Sequence, residues 1–385
     1  MFTDVKIDEQ QKPDDTEAEL RPIKVRPVLL ISSGIPQYDP EREERGEIPR
    51  GMLFNRTLRT TLINEDYLSH TPPWWRRTLY KLVPAFIAQI TETFIIKKKF
   101  DVVVSWSDKN ALLFALLLKL TRSKFPHVAM MYWPSGSKKE PLLKMVHPYI
   151  STLCLWTSTH RDLAINKLGI PEEKIRMIPQ FVDTKFYRPM PGETDTICAV
   201  GQEMRDYPTL IEALRGTDIK CHLATGSSPG SRKVYDTVKV VYNSDTSLPP
   251  NVTAGALSHA KLRELYARSR FVVVPLLPTD SDQGTHAITE AMAMGKGVMC
   301  SLTRGQRDVI EEGKTGIYVP QGDPKALREA IEYWWEHPEI PNQMGREGRK
   351  FVEENLTLEN FVETVRDIVE DTVSKFRATG NHGKK

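Results

Sequence analysis

Cysteine, long apolar runs and an excess of charge of one sign are all scarce in this chain. Its 385 residues include only four cysteines, far apart and without metal or redox spacing, which is typical of buried thiols in a reducing compartment. The longest apolar run, residues 111–118, is far too short to span a bilayer. The 53 basic and 50 acidic residues nearly balance, so nucleic acid is not expected as a partner.

The two ends of the chain are expected to lie outside the folded domains. Residues 1–24 are acidic and lack an apolar core, which indicates a disordered lead-in and not a signal peptide. Residues 376–385 are expected to form a flexible tail. These features predict a soluble, cytoplasmic protein, with peripheral attachment to the inner face of the membrane as an open alternative.

Strand-like apolar runs alternate with helical patterns in both halves of the chain. This alternation predicts parallel sheets built from βα units. Pro189 and Pro191 interrupt the alternation and predict a linker over residues 186–193. Because the chain is too long for one ordinary core, we expect an N-terminal domain over 25–186 and a C-terminal domain over 194–350.

A basic, aromatic segment spans residues 74–99 and begins with Trp74 and Trp75. Apolar residues recur at helical spacing from 78 to 98, and Pro84 predicts a kink or a helix start. We favour packing of the apolar face in the core with solvated cations, since amphipathic helices usually face a core. The alternative is docking on an anionic membrane surface.

The most informative segment is 280–295, DSDQGTHAITEAMAMG, in which an acidic loop runs into a helix of small residues. Asp282 is followed by seven residues and then Glu290, and Gly284 stands where the loop turns into the helix. A helix start offers free N–H groups and partial positive charge to an anion such as a phosphate. Carboxylates beside it are suited to sugar hydroxyls, so this segment predicts a sugar-nucleotide site.

The second half of the chain resembles the C-terminal domain of retaining GT-B glycosyltransferases, the group 1 or family four enzymes. Five stretches in the family's order carry the resemblance: residues 169–183, 199–213, 265–275, 282–298 and 313–319. The resemblance implies an α/β, GT-B fold of two doubly wound, Rossmann-like domains facing each other across a cleft. It also implies that a final helix, over 355–376, crosses back to the N-terminal domain.

The resemblance assigns roles to the acidic segment. Glu290 matches the carboxylate that grips the ribose of the donor. Asp282 matches the acid near the reacting carbon of the donor sugar and is predicted to be catalytic, although the family has Glu there and Asp280 is a nearby competitor. The helix-start residues are predicted to offer backbone N–H groups to the diphosphate or the sugar hydroxyls: Gly284, Thr285 and His286. The side chain of His286 is expected to form local hydrogen bonds and not to act as a base.

The family normally stabilises the leaving diphosphate with an Arg and a Lys in the loop after its first C-domain strand. In this chain Gln202 occupies the Arg position, and Arg205 is the only cation of a shortened loop, so Arg205 is predicted to be catalytic. The alternative for Arg205 is a surface ion pair with Asp206. Arg232 and Lys233 are the residues that could replace the missing cation.

The remaining predicted contacts rest mainly on backbone positions. On the donor side they are Gly201, Gln202, Gly226 and Val252, the last two marking the loops expected to recognise the base. On the acceptor side they are Gly34, Tyr132 and Trp133. The family often has a histidine beside the donor sugar at the position of Tyr132 and Trp133, and this chain has none there.

These features predict a transferase that moves a hexose from a nucleoside-diphosphate sugar, UDP or GDP type undecided, to a hydroxyl of a lipid, glycan or small molecule. The resemblance implies retention of anomeric configuration. No cofactor and no metal are expected, because the helix dipole and Arg205 can carry the phosphate charge even though Asp280-Ser281-Asp282 is formally a DxD sequence. Alternatives are a non-catalytic sugar-nucleotide-binding subunit and a sugar-nucleotide 2-epimerase.

Overall fold

The N-terminal domain is built on a six-stranded parallel sheet. The computed structural model describes residues 20–31, 40–51, 53–225 and 248–381. The strands of this sheet are β1 Pro27–Ile31, β2 Thr61–Ile63, β3 Val102–Trp106, β4 His127–Met131, β5 Thr152–Leu155 and β6 Ile175–Met177. They lie in the order β2-β1-β3-β4-β5-β6. The order reverses between β1 and β3, and ligands of such sheets bind at the carboxyl ends of the strands at this point.

The helices of this domain cover both faces of the sheet. They are α1 Pro40–Glu44, α2 Leu53–Leu58, α3 Glu65–His70, α4 Trp74–Tyr80, α5 Ala85–Ile96, α6 Asp108–Leu120, α7 Lys139–Val146 and α8 Ser158–Asp162. Polar side chains cap several of them, since Asn64, Ser107 and Thr157 each accept a backbone N–H of the helix that follows. The caps fix where each helix leaves the carboxyl edge of the sheet.

The C-terminal domain has a second six-stranded parallel sheet. Its strands are β7 Thr196–Val200, β8 Cys221–Ala224, β9 Val252–Gly255, β10 Ser269–Val274, β11 Gly297–Ser301 and β12 Gly316–Val319. Its helices are α9 Tyr207–Leu214, α10 His259–Arg268, α11 Thr285–Ala293, α12 Pro324–Glu336 and α13 Glu339–Asn355. The strand order is β12-β11-β10-β7-β8-β9, so the loops after β7 and β10 flank the crevice of this sheet.

The last helix, α14 Leu358–Asn381, returns to the N-terminal sheet. Phe361, Val365 and Val369 are buried there in one core with Leu29 of β1 and Met130 of β4. The two chain segments that pass between the domains also pair with each other. Val182 N donates to Leu356 O at 2.9 Å, and Leu358 N donates to Val182 O at 3.1 Å. The predicted fold class, two doubly wound domains with a helix crossing back, is confirmed.

The segment from 78 to 98 does not form the single core-facing helix that its periodicity favoured. It is divided between α4 and α5, with Pro84 at the N-cap of α5. Leu79, Leu82 and Val83 are exposed, and α4 has no buried residue. The reason is that Arg76 and Tyr80 turn inward to Glu92, at 3.1 and 2.7 Å, which leaves the apolar residues of α4 on the outside.

Helix α13 was not predicted from the sequence. It lacks the stripe of large apolar residues that marks a core helix. Its buried residues are Pro341, Gly345, Gly348 and Val352. A Cβ at Gly345 would clash with the backbone of Gly295, which shows that the helix packs by close backbone approach.

Neither the cysteines nor the described helices add a cross-link or a membrane span to the two domains. Cys154, Cys198, Cys221 and Cys300 are all buried on strands and form no disulfide. Within the described ranges, no helix combines the length and the apolar character needed to cross a membrane.

Replacing Phe361 by Ala is expected to destabilise the protein by about 3–5 kcal/mol, because it empties a fully buried aromatic position between α14 and the N-terminal sheet. Urea unfolding followed by circular dichroism measures the change. The matched control is Tyr333→Ala on α12, where the side chain is 54% exposed and the expected change is within about 0.5 kcal/mol. An equal effect of the two substitutions would contradict the docking of α14.

Candidate active site

The acidic loop leads from β10 into α11 at the crevice of the C-terminal sheet. Gly284 has φ +91°, and a Cβ on it would lie 2.7 Å from Val274 Cγ1, so only glycine fits. No side chain caps α11 within the described part of the chain, which leaves N–H groups of its first turn for an anion. The side chain of Thr285 points inward, donating to Asp282 O at 2.7 Å and accepting from Gln306 Nε2 at 2.8 Å. Gly284 and Thr285 therefore shape the helix start.

Glu290 lies in the middle of α11, on its cleft-facing side. Its carboxylate accepts a hydrogen bond from Tyr266 Oη at 2.9 Å. Burial raises its pKa to about 7, against the opposing effects of Tyr266, Tyr187 and the charge of Arg205. The carboxyl group also lines the cleft, where its oxygens can accept hydrogen bonds from hydroxyl groups of a ligand.

His286 lies one helical turn before Glu290, on the same side of α11. Its ring contacts Phe181 edge-on, with the ring centroids 5.8 Å apart. The surrounding protein walls lower its pKa, and the charge of Arg205 lowers it further. The imidazole is therefore neutral near pH 7 and can donate or accept one hydrogen bond in the cleft.

Arg205 is buried beneath the loop that follows β7. Its Nε donates to Val200 O and its Nη1 donates to Glu203 O, both at 2.8 Å. The alternative of an ion pair with Asp206 is wrong, because that carboxylate accepts from Thr209 and caps α9. No acidic side chain forms an ion pair with Arg205 among the residues that the structure describes. The guanidinium, which stays protonated in proteins, is thus a fixed positive charge beside the crevice.

Gly201 and Gln202, in the loop after β7, have structural roles at the rim of the crevice. Gly201 has φ +112°, and a Cβ there would clash with the guanidinium of Arg205. The side-chain amide of Gln202 donates to Thr225 O and so ties the carboxyl ends of β7 and β8 together. Gln202 therefore braces the rim of the crevice, where the family has a cation.

Val252 was predicted to lie near the nucleotide base, and the structure corrects this. Val252 is the first residue of β9, is buried, and pairs with Cys221 at the amino end of the sheet. Ligand sites lie at the opposite, carboxyl ends of parallel strands, so its side chain cannot reach the cleft. Gly34, Gly226, Arg232 and Lys233 lie outside the described residues.

Two side chains cross from the N-terminal domain and its exit segment to the acidic loop. Trp133 Nε1 donates to Asp280 Oδ1 at 2.7 Å, and Gln180 Nε2 donates to Asp282 Oδ2 at 2.6 Å. Burial raises the pKa of Asp282, with Gln180 opposing. Burial alone would raise the pKa of Asp280 too, but hydrogen bonds from Ser135 and Trp133 lower it overall. The pKa of Asp280 is therefore below its ordinary value, whereas that of Asp282 is above it.

Of the two predicted acceptor-side residues that the structure describes, Trp133 reaches the cleft by this bond and Tyr132 turns into its own domain. The hydroxyl of Tyr132 accepts from Trp106 Nε1, and its ring stacks on Trp156 with centroids 5.1 Å apart. Tyr132 thus supports the wall of the cleft from behind.

His160 was not singled out from the sequence. It stands at the start of α8, after β5, and is fully buried. Neither ring nitrogen has a hydrogen-bond partner within the described ranges. Burial lowers its pKa, whereas the charges of Asp280 and Asp282 raise it, which places it in electrostatic reach of the acidic loop. A lone histidine gives no local signal in a sequence, so its place beside the acidic loop could not be predicted.

The start of α8 also holds the two domains together. Ser158 donates to Asp308 through its backbone N and its Oγ, both at 2.8 Å. Thr159 Oγ1 donates to Arg304 O at 2.8 Å. These bonds close one side of the cleft, beside the contacts of Asp280 and Asp282.

A cavity of about 350 Å³ opens between the domains on the cleft side of α11. Its C-domain wall carries His286 and Glu290, and its N-domain wall is largely apolar. In the part of the chain that the structure describes, no group of three or more His, Cys, Asp or Glu side chains is arranged to hold a metal ion.

Comparison with solved structures identifies the class of fold. HepE from Anabaena, solved in complex with UDP and glucose, superposes with a TM-score of 0.68 at 15% identity, covering 91% of this chain and 100% of that chain. Sucrose-phosphate synthase from Thermosynechococcus elongatus gives a TM-score of 0.68 at 16% identity, with 91% and 100% covered. The architecture is therefore that of the GT-B glycosyltransferases.

Comparison of sequences narrows the class. Residues 248–351 match the family described as glycosyl transferases group 1, and this segment contains the acidic loop and α11. The D-rhamnosyltransferase WbpZ of Pseudomonas aeruginosa is 27% identical over 144 residues, 36% of this chain and 34% of WbpZ. EpsD of Bacillus subtilis is 33% identical over 63 residues, 16% of each chain. Its assignment as a glycosyltransferase is provisional. The matches thus span about a third and a sixth of those relatives, and the predicted resemblance to group 1 GT-B glycosyltransferases is confirmed.

The raised pKa of Glu290 predicts how stability depends on pH. A carboxyl group with a pKa above its ordinary value binds its proton more tightly in the folded state, so stability falls as pH rises from about 4.5 towards 7. Glu290→Gln removes this penalty. The nucleotide-free variant is expected to be more stable than the parent protein at pH 8, and the difference shrinks by about 1–2 kcal/mol at pH 5.5. Urea titrations at the two pH values measure it, and a pH-independent difference would contradict the assignment.

Proposed function

We propose that this protein is a retaining glycosyltransferase that moves a hexose from a nucleoside-diphosphate sugar to a hydroxyl acceptor without a metal ion. One observation carries the proposal. The uncapped start of α11, with Glu290 on its cleft-facing side, lies at the crevice of the C-terminal sheet and faces the N-terminal domain. This arrangement offers positive charge to a diphosphate and a carboxylate to a ribose.

The donor fits this site in one orientation. The diphosphate lies at the start of α11, over the buried charge of Arg205, and the ribose hydroxyls donate to Glu290. The sugar then extends towards Asp280 and Asp282. HepE, which has the same fold, binds UDP-glucose, and WbpZ is named for transfer of D-rhamnose, so hexoses and their deoxy forms are the sugars to test first.

The proposed chemistry is a front-face displacement. The acceptor oxygen bonds to the anomeric carbon as the bond from that carbon to the diphosphate oxygen breaks, and the acceptor proton passes to the departing phosphate. The charge that develops on the diphosphate is stabilised by the N–H groups of α11 and by Arg205, which are fixed before the reaction. Asp282, held by Gln180, orients the sugar beside the reacting carbon.

Binding of UDP or GDP is expected to raise the melting temperature, because a ligand that binds only the folded state stabilises it by mass action. Glu290→Gln should weaken nucleotide affinity by about tenfold or more, since one lost charge-assisted hydrogen bond costs about 1.5–3 kcal/mol. Glu264→Gln, an exposed acid on α10, is the matched control and should leave the affinity unchanged. Isothermal titration calorimetry gives both values.

The same preparation tests the reaction itself. A transferase slowly releases nucleoside diphosphate from its donor without acceptor, and NMR of the product shows the retained configuration, with turnover persisting in a chelator. Donor binding without any hydrolysis would instead support a sugar-nucleotide-binding subunit. Loss of turnover in chelator would overturn metal independence.

We further propose that the protein docks on anionic membranes through an exposed patch at α4 and the start of α5, called here the α4–α5 patch: Trp74, Trp75, Arg77, Leu79, Lys81, Leu82 and Val83. Trp74 is 72% exposed and Leu82 is 78% exposed, so the core-packing interpretation fails for this part of the segment. Of the six cations in residues 74–99, two turn away from the solvent, because Arg76 pairs with Glu92 and Lys97 is buried. Interfacial tryptophans beside Arg77 and Lys81 suit an anionic lipid surface.

Flotation with liposomes containing anionic lipid tests the patch. The parent protein is expected to float at low salt and to dissociate as salt is raised, because the attraction is screened. Trp74→Ala combined with Leu82→Ser should abolish flotation. Leu120→Ser, which removes an equally exposed leucine from the far end of α6, should not. Absence of flotation of the parent protein at low salt would refute the proposal.

A further inference from the structure

The cavity between the domains coincides with the ligand edge of the N-terminal sheet. Ile31 ends β1 and Trp106 ends β3, the two strands between which the strand order reverses, and both line the cavity. In doubly wound sheets, ligands bind in the crevice at this point. The N-terminal domain therefore has its own binding site, opposite α11.

The N-domain wall of this site is largely apolar, and the side chain of Asn55 within it accepts a hydrogen bond from Thr60 Oγ1 at 2.8 Å. Phe54 contacts Trp106 edge-on with centroids 4.8 Å apart, and Phe361 stacks on Phe181 at 4.2 Å. Leu29, Ile31 and Leu358 complete the wall. The charged groups on this side are engaged with one another, since Arg50 bonds to Asp183 at 2.7 Å and to Glu359 at 2.8 Å.

This wall does not suit a sugar ring. Each buried hydroxyl of a sugar needs a hydrogen-bond partner, and a buried polar group without one costs free energy. An alkyl or isoprenoid chain gains from the same surface, because apolar area is removed from water on both sides. His286 and Glu290 stand on the opposite wall, at the proposed donor site, so an apolar chain on the N-domain wall would lie beside the bound donor.

The edge of the domain that holds the cavity also carries the α4–α5 patch. The end of helix α5 leads into the amino end of β3. The start of α5, at its opposite end, therefore lies at the carboxyl edge of the sheet. The contact between Lys109, at the start of α6, and the ring of Phe86, with Nζ 3.2 Å from the centroid, shows this directly. A bilayer docked on the patch would therefore lie at the same edge as the cavity.

We propose that the cavity is the acceptor subsite and binds the chain of a lipid acceptor, an alcohol or sugar head joined to an alkyl or isoprenoid tail. This rests on the proposed function, because the head must present its hydroxyl to the donor sugar at α11. The tail lies against Ile31, Trp106 and Phe181, which line the cavity and are only partly buried, and the patch gives access to acceptors held in a membrane.

The test uses n-alkyl β-glucosides with four, six and eight carbons, below their micelle concentrations, with glucose as the reference without a chain. Calorimetry with the protein saturated in UDP or GDP gives the affinities. Each added methylene is expected to tighten binding by about threefold to fourfold until the cavity is full. Ile31→Phe, which narrows the cavity, should reduce the gain from the eight-carbon chain by about tenfold or more, whereas Leu120→Ser should not alter it.

Two outcomes would overturn the inference: glucose binding as tightly as its octyl derivative, or a chain-length gain that persists unchanged in Ile31→Phe. A nucleotide-induced rise in melting temperature shows that each variant is folded. If no nucleoside diphosphate binds the parent protein, the proposed function itself fails. If nucleotide binds and chain length has no effect, only the lipid acceptor is refuted.

Discussion

The ion pair of Arg50 with Asp183 ties the two chain segments that pass between the domains to the N-terminal domain. Asp183 lies in the first segment that passes between the domains, and Glu359, the second partner of Arg50, lies at the return of the chain into α14. Burial alone would lower the pKa of Arg50, but the two carboxylates outweigh it and raise the pKa. Removing one partner of such a buried pair strongly destabilises a protein, since the other charge is left uncompensated. The pair therefore fixes both crossings at one place.

The cleft is a consequence of this fixed crossing. Gln180 stands three residues before Asp183 and bonds to Asp282, while Trp133 bonds to Asp280 from the N-terminal domain. Phe181, between them, contacts His286 on one side and Phe361 on the other. The proposed donor site and the apolar cavity thus share a boundary made from the interdomain segment, and each domain alone has only half of the cleft.

How much of this could be predicted from the sequence follows from the range of each interaction. Gly284, the helix start after it and Glu290 lie within one turn and the helix that follows. Their relative positions could therefore be predicted from the local sequence pattern. Contacts between residues far apart in the chain, such as the hydrogen bond from Trp133 to Asp280, leave no local pattern. Val252 was misplaced because it was expected in a loop at the cleft, whereas it begins β9 at the opposite, amino end of the sheet. The outward turn of α4 depended on one buried acid, Glu92, whose partners could be known only from the fold.

The return of α14 to the N-terminal sheet has a consequence for how the protein is made. Synthesis proceeds from the N-terminus, and domains generally fold as units during it. Here the sheet face around Leu29 and Val104 is covered by residues 358–373, which are made only after the whole C-terminal domain. The second domain can therefore complete its core before the first. During that interval an apolar face of the first sheet is open to the solvent, so the synthesis of α14 determines when this face is covered and protected from aggregation.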